Sequence, residues 1–228
     1  MRCDSMNKEA MLAVLDSTLL RPTASRTDIK TFCEETIQYG FKTVFVNPYW
    51  IPYAVKLLSP HGIKVGAPIG FSLGGATTHT KVAETAEAIE NGAVEIDMLI
   101  NLGALKSQEY DIVKQDIAAV VKAASGHLTK VIIETALLSK AEKVTACNII
   151  MEAGADYVKT ATGFNGGGAT IEDIKLLKSV TGDTIKIKAA GGIRSWQDAC
   201  AMLEAGASRL GTSNAVKIIN EEKIDGDY

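Results

Sequence analysis

Two lysines stand where lysine is costly. Lys159 in YVKTATGF (157–164) and Lys188 in KAAGGIRS (188–195) are set among apolar and β-branched neighbours, yet lysine is almost never fully buried unless paired. Desolvation and a nearby second cation each favour the neutral amine, moving it from about 10.4 toward roughly 7 to 8. A neutral amine is a nucleophile, and its reaction with a carbonyl compound gives an imine. Lys159 is read as that nucleophile and Lys188 as the second cation. The alternative for Lys159 is a lysine at a strand end whose head snorkels to water. Lys186, two residues before Lys188, is read as structural, paired with Glu95 or another strand acid.

A buried amine that exchanges protons needs a carboxylate nearby. Asp97 in EIDMLIN (95–101) has apolar residues on both sides, and a strand there puts Glu95, Asp97 and Leu99 on one face. It is read as the proton-transfer group beside the amine, with half of a buried ion pair as the alternative. Asp16, in LDSTLL (15–20), would orient a lysine or substrate hydroxyls, or serve a turn. Glu134 is either a site carboxylate or a hydrogen-bonded structural group. Two glycine-containing segments, AAGGIRS (189–195) and RLGTSNA (209–215), each end a strand and open a helix. Their backbone N–H groups and the helix ends behind them make an anion site suited to phosphate.

These residues are positioned by a repeated unit. A glycine closing an amphipathic stretch, then a β-branched run, recurs at Gly40, Gly62, Gly92, Gly126, Gly154, Gly182 and Gly206, at steps of 22 to 34 residues. Glycine suits the residue after a helix because it enters the left-handed region without a Cβ penalty, and the run after it reads as a strand. An opening strand within LAVLDSTLL (12–20) and a first helix beginning after Thr27 and Asp28 bring the count to eight strands. Eight strands alternating with helices predict an α/β fold, a single-domain (β/α)8 barrel over 1–228 with a short helical lead-in and a polar tail from about residue 221. The competing architecture is a doubly wound open sheet, which more often shows a G-x-G-x-x-G turn after its first strand.

Composition narrows the partners. The chain has 228 residues, 24 basic and 27 acidic side chains and a net charge of −3, which argues against a nucleic-acid binder. Apolar stretches such as Ala10 to Leu15 fall far short of the roughly 18 residues that span a bilayer. The N-terminus MRCDSMNKEAM places charges where a signal peptide needs an apolar segment, so a cytoplasmic protein is expected. Cys3, Cys33, Cys147 and Cys200 are scattered and expected to be reduced, and none of His61, His79 and His127 is spaced with a second ligand for zinc.

Read in order, LDSTLLRP (15–22), VNPYWIP (46–52), IGFSLGGAT (69–77), EIDMLIN, YVKTATGF, KAAGGIRS and RLGTSNA closely resemble the deoxyribose-phosphate aldolases, class I aldolases with a (β/α)8 barrel, over nearly the whole chain. The resemblance implies reversible cleavage of 2-deoxy-D-ribose 5-phosphate to D-glyceraldehyde 3-phosphate and acetaldehyde, with no metal or organic cofactor. It implies a Schiff base on Lys159, a proton relay of Asp97 and Lys188, support from Asp16, and phosphate held by Gly163, Gly191, Gly192, Gly211 and Ser213. A homodimer is implied, and the terminal Tyr228 resembles a family tyrosine that would shuttle a proton at the enamine carbon. Phe45 stands where a cysteine is common and Ser72 where a proline is common; both are expected to bear on loop shape or aldehyde sensitivity and not to touch the chemistry. Asn214 replaces a serine of some members, which would alter one phosphate contact. Two other readings remain open at this point: a Schiff-base aldolase for a different phosphosugar, and a catalytically silent phosphosugar-binding barrel.

Overall fold

The computed structural model describes residues 6–222. Eight strands, β1 (Leu15–Leu19), β2 (Thr43–Val46), β3 (Lys64–Ile69), β4 (Glu95–Leu99), β5 (Leu128–Ile132), β6 (Tyr157–Lys159), β7 (Lys186–Ala190) and β8 (Arg209–Thr212), pair in parallel with their sequence neighbours. β1 also pairs with β8, Asp16 lying opposite Gly211, which closes the barrel. The helices are α1 (Lys8–Val14), α2 (Arg26–Tyr39), α3 (Ile51–Leu58), α4 (Thr78–Glu90), α5 (Leu102–Lys106), α6 (Tyr110–Ala123), α7 (Lys140–Glu152), α8 (Ile171–Thr181), α9 (Trp196–Ala205) and α10 (Ala215–Ile219).

All seven junction glycines have positive φ, from 52° at Gly182 to 123° at Gly206. Each turns the chain from a helical end into the next strand, so the spacing of these glycines sets the repeat. Alternation along the strands then sorts side chains into two layers. Val44 and Val46, Ile96 and Met98, and Ile187 and Ala189 belong to the apolar layer between barrel and helices. Burying one such aliphatic side chain is worth roughly 1.5–3 kcal/mol. The alternate residues Phe45, Asp97 and Lys188 are almost fully buried and lie outside that apolar cluster, inside the barrel.

Two boundaries differ from expectation. Leu12–Val14 belong to a helix and not to the first strand, because Asn7 caps α1 by accepting from Ala10 N at 2.8 Å and Met11 is buried beneath it. An apolar run this short fits either period. The helix after β1 starts at Arg26: Ser25 is its N-cap and Asp28 is the reciprocal partner of a capping box, so Asp28 lies inside the first turn. Cys33 and Cys147 are free and buried. Among the described residues no helix is long and apolar enough to cross a membrane.

Candidate active site

Strand register brings the candidates together. Lys159 is the last residue of β6 and lies opposite Lys188 of β7; Asp97 of β4 lies opposite Lys130 of β5. Inside the barrel Asp97 is fully buried and uses both oxygens: Oδ2 accepts from Lys159 Nζ and from Lys188 Nζ, each at 2.8 Å, and Oδ1 accepts from Lys130 Nζ at 2.9 Å. Below this, Lys130 donates to Glu95 Oε2 at 2.6 Å, and Lys188 lies 2.6 Å from Asp16 Oδ2. Arg209 of β8 joins Asp16 to Glu95, donating to Asp16 Oδ1 from Nε at 3.1 Å and from its terminal nitrogen, and to Glu95 Oε2 at 3.2 Å. Buried charges persist only when paired in this way.

The cluster holds three carboxylates, Asp16, Glu95 and Asp97, against four basic groups, Lys130, Lys159, Lys188 and Arg209. The cluster therefore carries one positive charge in excess, and Lys159 is the group whose proton is held least tightly. Burial, which outweighs the attraction of Asp97 and is reinforced by Lys188 and Lys130, lowers its amine to about 8. Lys130 moves the other way: burial works against its charge, but Asp97, Asp16 and Glu95 together raise it. Burial alone would raise Asp97, yet Lys130, Lys159 and Lys188 hold it well below the usual carboxylate range. Asp16 is lowered as well, burial being overcome by Lys188, Lys130 and Arg209. Lys159 also has access, its side chain being 8% exposed against 1% for Lys188.

Above the amine lies a cleft of about 500 Å³ lined by Lys159, Thr18, Thr162, Arg194 and the loops after β6, β7 and β8. Gly163, Gly191, Gly192, Gly211 and Ser213 all border it, so every predicted phosphate residue shares one cavity with the reactive lysine. Gly191 and Gly192 have φ of 83° and 74°, and a Cβ on Gly168 would lie 2.7 Å from the Gly191 carbonyl, so the two loops touch backbone to backbone. Gly211 has a second reason to be bare: a Cβ there would lie 3.0 Å from Lys188 Cε, and its absence lets that side chain pass. Of the helices behind these loops, α9 is capped by Ser195 Oγ, which accepts from Asp198 N at 3.0 Å, and α10 has 5 residues.

Glu134 supports the site and does not enter the amine cluster. It is buried, has φ of 53°, accepts from Thr162 N at 3.1 Å and Thr162 Oγ1 at 2.6 Å, and accepts from Asn165 Nδ2 at 2.8 Å. Asn165 Nδ2 also donates to Ser72 O at 2.6 Å, tying the loop after β3 to the loop that carries Gly163. Of the other predictions, Lys186 needs correction: it is exposed at the start of β7, with Nζ 5.9 Å from the Tyr157 ring, and Glu95 is taken by Lys130 and Arg209. Phe45, expected to stand clear of the chemistry, has its ring centroid 3.9 Å from Lys188 Nζ. Lys130 and Arg209 were missed, although Lys130 in LTKVIIE shows the same signal as Lys159, a cation inside a β-branched run. Asn214 borders the cleft, and its N donates to Thr212 Oγ1 at 3.0 Å. Tyr228 and Cys3 lie outside the described residues. No group of metal-binding side chains occurs among the described residues.

Comparison with known proteins places this geometry. The family model for DeoC/LacD family aldolases matches residues 9–216. A protein of Oceanobacillus iheyensis, deoxyribose-phosphate aldolase 2, is 57% identical over 223 residues, covering 98% of this chain and 100% of that protein. Deoxyribose-phosphate aldolase of Streptococcus sanguinis is 51% identical over 94% of this chain and 97% of its own. A solved structure described as a unique tetrameric deoxyribose phosphate aldolase from Aeropyrum pernix has a TM-score of 0.89 at 33% identity, over 95% of this chain and 93% of that one.

Proposed function

The chain belongs to the DeoC/LacD family of aldolases, and from that premise we propose that it cleaves 2-deoxy-D-ribose 5-phosphate reversibly into D-glyceraldehyde 3-phosphate and acetaldehyde through a Schiff base on Lys159. The observation that carries this reading is an accessible lysine, lowered to about 8, at the floor of a glycine-lined cleft and sharing a carboxylate oxygen with a second lysine. Neutral Lys159 adds to the C1 aldehyde of the open-chain sugar, and the carbinolamine loses water to give an iminium. The C3 hydroxyl gives up its proton, the C2–C3 bond breaks, and its electrons pass into the iminium to leave an enamine while the new aldehyde departs. Protonation at the terminal enamine carbon and hydrolysis then release acetaldehyde and restore the amine.

Asp97 Oδ2 lies between Lys159 and Lys188, so protons can pass between the two nitrogens with water as the carrier to substrate oxygens. As Lys159 becomes an iminium it gains a positive charge beside the same carboxylate, so Asp97 stabilises the electron sink. Asp16 holds Lys188 from below. The backbones of Gly163, Gly191, Gly192, Gly211 and Ser213 hold the phosphate, converting binding at the far end into alignment at the lysine. Tyr228, in this reading, delivers the proton to the enamine carbon; its deletion should slow turnover and solvent-proton exchange, and unchanged values would remove it from the mechanism. The protein acts as a cytoplasmic homodimer, for which sedimentation equilibrium is the direct measurement.

Incubation with acetaldehyde and borohydride, followed by peptide mass spectrometry, tests the reading. An ethyl group on Lys159, absent from Lys159→Leu, is expected. A label on Lys188 would reverse the roles of the two lysines, and the absence of any specific label would leave a phosphosugar-binding barrel. Cleavage of deoxyribose 5-phosphate in preference to fructose phosphates separates this substrate from that of other Schiff-base aldolases.

A further inference from the structure

Phe45 is an aromatic residue inside a cage of cations. It is 2% exposed on β2, and its neighbours Val44 and Val46 point into the apolar layer under the helices while its own ring points into the barrel. The ring centroid lies 3.9 Å from Lys188 Nζ, 4.8 Å from Lys130 Nζ and 5.8 Å from Lys159 Nζ. All three distances are within the roughly 6 Å over which an aromatic face attracts a cation, and the contact with Lys188 is much the shortest. β3 makes room for the ring. Gly66 lies opposite Phe45 in the register, and a Cβ there would fall inside the van der Waals envelope of the ring.

We infer that Phe45 is a positioning residue for the imine-forming lysine: its face braces the Lys188 ammonium and its bulk closes the barrel beneath Lys159 to water. The inference rests on the Lys159 reading proposed above. The groups facing the lysine are Asp97 from β4, Lys130 from β5 and Lys188 from β7, with Asp16, Glu95 and Arg209 from β1, β4 and β8 behind them and Tyr157 of β6 near Lys130. Every carboxylate in this set attracts protons to the amines. The aromatic face is different in kind, because it supports a cation without offering a base. A cation supported at Lys188, sharing Asp97 Oδ2 with Lys159, repels a second proton from Lys159. The packed ring also removes the water that would solvate a Lys159 ammonium, and burial is the largest influence on that amine. Without the ring, the space over Gly66 would open between β2 and β3, directly under the amines.

The test is competitive acetylation with trace acetic anhydride from pH 6 to 11, read on the Lys159 peptide of the wild type, Phe45→Leu and Phe45→Ala, with the exposed Lys186 as internal reference. Phe45→Leu keeps most of the apolar bulk and remains informative if the alanine variant folds poorly. The Lys159 midpoint is expected to move alkaline by about one unit in Phe45→Leu, leaving about tenfold less neutral amine at pH 7. Borohydride trapping of acetaldehyde should fall by the same factor at pH 7 and return to the wild-type rate above both midpoints. An unchanged or acid-shifted midpoint in Phe45→Leu, with or without a lower plateau, would overturn the inference and leave Phe45 as packing. Acetylation reports the midpoint whether or not an imine forms, so a wild type that fails to trap acetaldehyde would sink the aldolase reading separately.

Discussion

Three lysines within one hydrogen-bonded cluster have been given different work by burial and partners. Lys130 bridges two carboxylates, Glu95 and Asp97, and has no exposed side-chain surface, whereas Lys159 holds one oxygen of Asp97, shared with Lys188, and opens on the cleft. Removing either lysine leaves three basic groups against three carboxylates, so the consequences for the fold differ through the partners: Lys130 bridges two carboxylates, whereas the oxygen that Lys159 holds keeps Lys188. Lys159→Leu should abolish turnover while melting within about 3 °C of the wild type or higher, a window that corresponds to roughly 1 kcal/mol in a chain this size. Lys130→Met leaves Asp97 Oδ1 unpaired and Glu95 with Arg209 alone, and should cost about 3–5 kcal/mol. Differential scanning calorimetry beside a turnover assay checks both; equal melting losses in the two variants would refute this division between a bridging lysine and a reactive one. At this scale the sequence showed Lys159, Asp97 and Lys188 because each interrupts an apolar run. Arg209 escaped notice because it opens a strand, where a charge looks ordinary, and only register places it between Asp16 and Glu95.

The elements turn those residues into a site by ending where they do. β6 is only three residues long; Thr160 still bonds Lys188 O and Thr135 N through its backbone, and the loop from Thr162 onward forms part of the wall of the cleft. That loop is fixed by Glu134 at the end of the preceding strand segment, whose carboxylate gathers Thr162 and Asn165, and through Asn165 the loop reaches Ser72 after β3. Glu134→Gln exchanges one acceptor oxygen for a donor facing the donors of Thr162 and Asn165, and hydrogen bonds to charged groups are worth about 1.5–3 kcal/mol. The expected result is a KM for deoxyribose 5-phosphate raised about tenfold or more, with acetaldehyde trapping at Lys159 nearly unchanged, since the loop holds the phosphate end and not the amine. Loss of trapping in parallel with KM would instead place Glu134 in the chemistry. The barrel repeat itself was legible from seven glycines, because a left-handed residue between helix and strand is a local requirement. The α1–β1 boundary was not, because Leu12–Leu15 satisfies either period, and the Phe45–Gly66 fit was invisible because it depends on which residues of two separate strands lie opposite each other.

At the scale of the whole molecule, closing the sheet leaves no open edge and creates an interior in which charge must be balanced. The apolar layer outside the strands supplies the burial energy, and the ion cluster inside ties β1, β4, β5, β6, β7 and β8 together across the barrel. This arrangement makes the fold depend on two carboxyl groups in a definite pH window. Asp16 and Asp97 are both lowered in the folded state, against about 3.9 for an unfolded aspartate. A lowered carboxyl contributes stability that is fully present above the unfolded value and disappears as pH falls through the folded one, because the unfolded chain then binds protons that the folded chain refuses. The barrel should therefore hold its full share of this stability at pH 5 and lose it progressively below about pH 4. Asp97→Asn, which leaves three cations around a neutral amide, should be destabilised by about 3–5 kcal/mol at pH 7 and show a flatter decline below pH 4. Urea unfolding of both proteins at several values between pH 2 and 7, followed by circular dichroism, measures the two slopes. Parallel slopes and equal stability at pH 7 would mean that surface carboxylates govern acid unfolding and that the interior cluster contributes chemistry without holding the barrel together.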